Sequence, residues 1–305
     1  MGYHDRHFAG DAFAHTGVWG NPTSVENFCE EDYAVTRFVA EFVNSITNLT
    51  YVYFALKCRV RVRNGMVYSG GFDSLSVTLM LVGVTSTAYH ATLHQGPQLA
   101  DDLSMLLLAG ALLQKLCCSS EPPVIARLAA VSIWLPTFII STMYIKSGNF
   151  LLHMWMFGTM AALIGLRIFY LIYFEPRPEQ DKTRLAFRFW NGAAYLVVAF
   201  AVWNIDLERC HQLRAARQRL GLPWAWLLEL HGWWHVLTAI GAARFIELVR
   251  DLCDQTAGSK RRESRELLSS ESTTRKRGFA VLTRMMLPAL TKESKDDLDR
   301  IGSTG

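Results

Sequence analysis

The stretch "LELHGWWHVLTAIG", Leu228 to Gly241, sets two histidines four residues apart inside a run otherwise apolar enough for a lipid-embedded helix. Its surroundings are of the same kind. The 305 residues are 50% hydrophobic, and the charges gather in the tail and a few short blocks, which leaves long apolar stretches and marks a membrane protein. The net charge of +4 is modest, and the basic residues alternate with apolar runs instead of lining one soluble face. Nucleic-acid binding is excluded on that pattern, membrane lipids are the natural partner, and no obligate protein partner is implied.

A helix needs roughly 20 mostly apolar residues to cross about 30 Å of hydrocarbon. Seven segments qualify: Phe38–Leu56, Leu75–Leu93, Leu99–Gln114, Leu128–Ile145, Phe150–Phe174, Phe189–Ile205 and Trp224–Ala243. The breaks "KCRVRVRNG", "HQGPQ", "SSEPP", "KSGN", "EPRPEQDKTR" and "ERCHQLRAARQRLGLP" carry turn or charge signals. The expected fold is an all-α seven-transmembrane helix bundle, neighbouring helices antiparallel. It divides into an N-terminal segment (1–34), a seven-transmembrane domain (35–250) and a disordered, Ser-rich cytosolic tail (251–305). The N-terminus lacks the apolar core of a cleavable signal peptide, so the first span is expected to direct insertion.

Lys57, Arg59, Arg61 and Arg63 follow the first span, Lys115 and Arg127 the third, and Arg177, Lys182, Arg184 and Arg188 the fifth. That bias puts the N-terminus lumenal and the C-terminus cytosolic; Arg209, Arg214, Arg217 and Arg219 after the sixth span argue the other way. The expected setting is the endoplasmic reticulum or Golgi membrane. Six cysteines show no CxxC spacing, so neither a disulfide framework nor a cysteine-based zinc site is expected.

Ionisable groups inside spans are costly and need a partner or a role. His231 and His235 share one helical face, a spacing that suits two ligands of one metal or two hydrogen bonds to neighbouring helices. "STAYHATLH" adds Ser86 and His90, and "QLADDLSM" adds Asp101 and Asp102. In an antiparallel bundle the ends of spans two and six meet the starts of spans three and seven at one membrane face. His90, Asp101, Asn204, Asp206, His231 and His235 therefore share a level. Three histidines, a carboxylate and a serine there are the components of a catalytic zinc site. His94 makes "HATLH" a rival pair, and His153 is either a neighbour of the site or interfacial.

"WGNPTSVENFCEEDYAVTRFVAEF" meets the same face and offers the oxygen donors Asn27, Glu30, Asp32 and Glu41. These suit calcium, or else a solvated acidic loop capping the first helix. Glu41 is expected to stand outside the histidine shell.

At these residues the chain resembles the alkaline ceramidases. "WGNPTSVENFCEEDYAVTRFVAEFVNSITNL", "STAYHATLHQGPQLADDLSM", "FAVWNID" and "HGWWHVLTAIG" look like that family's blocks, in order, from about Trp19 to Arg250. The resemblance implies zinc on His90, His231 and His235, with Ser86 and Asp101 completing the catalytic site. It implies calcium on Asn27, Phe28 through its backbone carbonyl, Glu30, Asp32 and Glu41. Where the family has an aspartate and a tryptophan before "CEEN", this chain has Asn27 and Phe28 before "CEED", which moves one carboxylate to Asp32.

The activity implied is zinc-dependent hydrolysis of the ceramide amide to a sphingoid base and a fatty acid, with Asp101 moving the proton and Ser86 or the metal stabilising the oxyanion. The alternatives are a related hydrolase of another lipid amide or ester, a non-catalytic seven-helix receptor with structural zinc, and ion transport, which would need polar residues through the full bilayer depth.

Overall fold

The computed structural model describes residues 11–57, 60–63, 66–69, 73–118 and 121–255. The chain divides into a unit Met1–Cys253 and a unit Asp254–Gly305. The architecture below is that of the first; most of the expected cytosolic tail lies outside the described residues.

Among the described residues the fold is helical apart from one hairpin and an isolated bridge between Thr36 and Val39. Helix α1 (Phe42–Thr47) and α2 (Leu49–Lys57) follow one another across Asn48. The break "KCRVRVRNG" contributes to two antiparallel strands, β1 (Val60–Arg63) and β2 (Met66–Ser69), with Val60 opposite Ser69. There follow α3 (Ser74–Thr92), α4 (Gln95–Cys118), α5 (Pro123–Ser147), α6 (Phe150–Tyr173), α7 (Glu179–Glu208) and α8 (Cys210–Leu220). A 3-10 turn at Trp224–Leu228 leads into α9, residues 230–255.

Local chemistry sets most boundaries. Asp73 caps α3 by accepting the Ser76 N–H. Pro123 opens α5, where its missing N–H costs nothing, and Gly148 closes it in the left-handed region at φ 66°. Asn149 then caps α6 by accepting the Leu151 N–H. Glu179 and Asp181 place negative charge in the first turn of α7, where the helix dipole favours it.

Among the described residues three helices are long and apolar enough to cross a membrane: α5, α6 and α7, where spans four to six were expected. Large apolar side chains cover their outward faces, with Phe138, Trp155 and Phe187 each more than 70% exposed. A water-soluble surface does not carry such a patch, whereas a lipid-facing one does. The remaining expected spans overlap α1–α2, where the break at Asn48 leaves helices of 6 and 9 residues, and α3, α4 and α9, which carry the polar groups described below. The seventh helix begins at residue 230, six residues after the expected start at Trp224.

Helix α3 buries Leu75, Leu79, Val82, Gly83, Ser86, Tyr89 and His90, a helical stripe. Gly83 lets α3 lie against the preceding helix: a Cβ there would stand 2.9 Å from Tyr51 Cβ and 3.0 Å from the Asn48 carbonyl. Leu106, Ile168, Ile172, Ala239 and Ile246 belong to the same core.

Two expectations are corrected here. Cys29 and Cys210 form a disulfide, Cα to Cα 5.2 Å, across 181 residues of sequence. Spacing rules look for cysteines close in sequence and are blind to a pair joined by the tertiary fold. The break "ERCHQLRAARQRLGLP" is not an open loop, because helix α8 occupies most of it. Two of its arginines turn inward: Arg217 pairs with Glu229 and donates to the Cys29 carbonyl at 2.6 Å, and Arg214 pairs with Asp11 and reaches the carbonyls of Cys29 and Glu30. Charges spent on buried partners say little about which face of the membrane the segment occupies.

Candidate metal centre

His90 on α3 and His231 and His235 on α9 come together, each 3% exposed or less. One ligand atom from each lies within 4.8 Å of the other two, and this is the only such metal-binding group among the described residues. The i, i+4 spacing sets the α9 pair edge to face, with ring centroids 4.5 Å apart and ring planes at 83°, and the close approach of α3 supplies the third at 5.1 and 4.8 Å.

The outer nitrogens are already engaged. His90 Nδ1 lies 2.5 Å from Glu41 Oε2. His235 Nδ1 lies 3.1 Å from the Asn44 carbonyl and 3.1 Å from Thr47 Oγ1. A carbonyl only accepts, so His235 carries its proton on Nδ1, and an ionised Glu41 imposes the same on His90. His235, and His90 with Glu41 ionised, are left with an Nε2 lone pair, the arrangement that orients metal-binding histidines. His231 has no such partner at Nδ1 among the described residues; its ring is stacked on Phe28, centroids 3.5 Å apart. The donor set fits a metal that favours nitrogen ligands.

Glu41 is not one of that group of three but adjoins it. It touches a histidine directly, and its second oxygen accepts the Phe28 N–H at 3.2 Å. It ties the N-terminal segment to the histidine cluster.

Asp101 and Ser86 line the same cavity of about 300 Å³ as the three histidines, and Ser86 hydrogen-bonds the Asp101 carboxyl. A second cavity of about 280 Å³ is walled by apolar side chains and shares Tyr51, Val82, Met105, Phe157, Phe200 and Trp234 with the first. A polar chamber therefore adjoins an apolar one. His94 takes no part in the cluster; its Nε2 meets the Trp19 carbonyl at 2.9 Å. Asn204 donates to the Phe200 carbonyl on its own helix, and Asp206 accepts the Cys29 N–H at 3.2 Å.

Asn27, Glu30, Asp32 and Glu41 are all buried. Glu30 accepts the N–H groups of Val43 and Asn44 at 2.7 and 2.8 Å and so caps α1, while the Asn27 amide reaches Asp32 at 3.3 Å. Burial, reinforced by the Glu41 charge, pushes Glu30 up to about 8 against the pull of those N–H groups and Arg217. Burial also pushes Asp32 up to about 8, with Glu41 and Asp11 adding to it and Asn27 and Arg214 opposing. Mutually repelling buried carboxylates of this kind fit a hard cation, which would relieve both burial and repulsion.

Sequence reading did not single out Tyr144, which donates to Asp102 Oδ2 at 2.5 Å, or the Glu229–Arg217 pair. A tyrosine in an apolar span gives no periodic signal of its partner.

A helical chain with membrane-length apolar helices, gathered around a buried three-histidine cluster beside a cavity, is a membrane protein with a candidate metal centre. The chain belongs to the ceramidase family, whose profile, described as Ceramidase, matches residues 20–272. It is 28% identical to alkaline ceramidase 3 of Mus musculus over 236 residues, 74% of this chain and 82% of that protein. It is 28% identical to alkaline ceramidase YPC1 of Saccharomyces cerevisiae over 243 residues, 75% of this chain and 77% of that one. An alkaline ceramidase of Arabidopsis thaliana is 33% identical over 91 residues, 30% of this chain and 35% of the relative. Membership makes the chain an alkaline ceramidase-like hydrolase.

Proposed function

We propose that the chain hydrolyses the amide bond of ceramide, releasing a sphingoid base and a free fatty acid, with zinc held by His90, His231 and His235. The observation that carries this reading, within a ceramidase-family chain, is the three-histidine cluster on a polar cavity that adjoins an apolar one. A two-chained lipid amide needs both: polar groups at the scissile bond and apolar walls for its chains.

When bound, zinc on three histidines supplies water acidified to a pKa of about 7 and a Lewis acid for the amide carbonyl. Asp101 accepts the proton of the attacking water as the carbon–oxygen bond forms, then returns it to the nitrogen as the carbon–nitrogen bond breaks. Ser86 holds the Asp101 carboxyl by its hydrogen bond and lines the cavity where the oxyanion develops. Glu41 and the Asn44 carbonyl keep His90 and His235 in the tautomer that offers Nε2.

The remaining helices complete a seven-span bundle in this reading, with the N-terminus lumenal. The Cys29–Cys210 disulfide supports that orientation, since such bonds persist in oxidising compartments, and the setting is the endoplasmic reticulum or Golgi membrane. Calcium on Asn27, the Phe28 carbonyl, Glu30, Asp32 and Glu41 would pin the N-terminal segment and stabilise the folded form by mass action.

Purified protein given labelled ceramide tests the function. Turnover in the wild type, lost together with bound zinc in His231→Ala and His235→Ala, is the expected result. Zinc at full occupancy without turnover of ceramide or any related lipid would make the metal structural and refute the enzyme reading. Calcium-selective chelation should lower the melting temperature while zinc stays bound; no change in melting temperature or turnover would remove calcium.

A further inference from the structure

We infer that Asp102 and His153 form a second polar subsite in the cavity, which binds a hydroxyl of the sphingoid headgroup; this rests on the ceramide reading above. Asp101 and Asp102 are adjacent on α4, so their side chains point about 100° apart around the helix. Asp101 turns to Ser86 on α3, while Asp102 turns to Tyr144 on α5 and His153 on α6. Asp102 and His153 line the same cavity as the histidine cluster, and both are buried.

The group is built but incomplete. Tyr144, itself 2% exposed, donates its hydroxyl to Asp102 Oδ2 at 2.5 Å and fixes the carboxyl from behind. The other oxygen, Oδ1, is 3.8 Å from His153 Nε2, too far for a hydrogen bond. The His153 ring is held by stacking on Phe150 and Phe157, at 5.5 and 6.1 Å, and the nitrogen that faces Asp102, Nε2, makes no hydrogen bond among the described residues. Nε2 of this rigidly held imidazole meets no polar atom nearer than Oδ1 at 3.8 Å among the described residues, which leaves the gap between the two open to one more polar group in the cavity.

A hydroxyl matches what is missing. It donates to the free capacity of Asp102 Oδ1 and accepts from an imidazole N–H, and one oxygen can sit within reach of both atoms across a 3.8 Å gap. A carbonyl or ether oxygen cannot donate to the carboxylate. Ceramide carries hydroxyls on the two carbons flanking the one that bears the amide nitrogen, so a headgroup whose amide lies at the histidines brings both into the same small chamber. Glu26 and Gln98 line the cavity as well, and the Gln98 carbonyl oxygen already accepts the Val25 N–H at 2.8 Å.

The test compares kcat/KM for ceramide, 1-deoxyceramide and 3-deoxyceramide in the wild type, His153→Phe and Asp102→Asn. Phenylalanine keeps the ring stack without nitrogens; asparagine keeps an acceptor for Tyr144. The wild type should prefer ceramide to one of the two deoxy analogues by about tenfold or more, and both variants should bring that ratio close to one at normal zinc content. The wild-type ratio retained in both variants, or equal losses on all three substrates, overturns the subsite while leaving ceramide hydrolysis standing. A wild type that hydrolyses none of the three overturns the parent reading and the subsite with it.

Discussion

Glu41→Gln should weaken zinc binding although residue 41 is not a zinc ligand. The carboxylate accepts two hydrogen bonds, from Phe28 N–H on Oε1 and from His90 Nδ1 on Oε2, and Glu41 is fully buried. Glutamine has one acceptor oxygen. Its NH₂ then faces the other donor, the His90 N–H if the oxygen serves Phe28, or the Phe28 N–H, which also reaches Asn27 Oδ1 at 2.7 Å, if the oxygen serves His90; two buried donors meet either way. If His90 instead shifts its proton so that Nδ1 accepts, the proton moves to Nε2, the atom needed by the metal. Leaving one buried donor unsatisfied costs about 1–3 kcal/mol, roughly 5- to 150-fold in an equilibrium constant. Loss of such outer partners of a ligand histidine lowers metal affinity about 10- to 100-fold, the same range. The assay is competition for zinc against a chelator of known affinity, read by elemental analysis. Running it with calcium present and with calcium withdrawn separates this effect from a calcium-linked one: the loss should persist in both. Wild-type zinc affinity in Glu41→Gln under both conditions would refute the argument that Glu41 sets the His90 tautomer.

Asp101→Asn should retain zinc and lose about 10²- to 10⁴-fold in kcat, because it removes the proton carrier and not a ligand; steady-state kinetics beside zinc analysis check this. Cys210→Ser should lower stability by about 2–3 kcal/mol, less than the roughly 5 kcal/mol that closing a loop of this length is worth in a random coil, since membrane-held helices are already confined; thermal melts with and without reductant measure it. Gly83→Ala should cost about 1–3 kcal/mol, because the Asn48 backbone cannot move aside, and a melt tests it. Asp73 is the pH-sensitive contact: burial pushes its carboxyl up, but hydrogen bonds from Arg250 and the Ser76 N–H, with the Arg250 charge, outweigh that and hold it below its ordinary value. Its contribution is fully present above the unfolded value of about 3.9 and is lost as pH falls through the lower folded value. Asp73→Asn should accordingly flatten the acid limb of the stability curve, whereas an unchanged limb would dismiss the contact as a source of acid sensitivity.

What was legible depended on whether the signal was local. His231 and His235 could be paired because helical period alone puts them on one face, and His90 joined them because antiparallel helices bring span ends to one level. The same reasoning failed where the contact is set by packing. No rule of spacing links Cys29 to Cys210, 181 residues away, and none tells that Glu41 would reach His90 across the N-terminal turn. Charge counting failed for a related reason: it treats every arginine as solvated, yet Arg217 is 6% exposed and spends its charge on Glu229. Once Arg214 and Arg217 are set aside as structural, only Arg209 and Arg219 of that segment still oppose the orientation favoured by the other loops. Hydropathy, likewise, is least clear for α3, α4 and α9. Those helices bear Ser86, His90, Asp101, Asp102, His231 and His235, so the chemistry that makes the site is also what lowers their resemblance to a lipid-spanning helix.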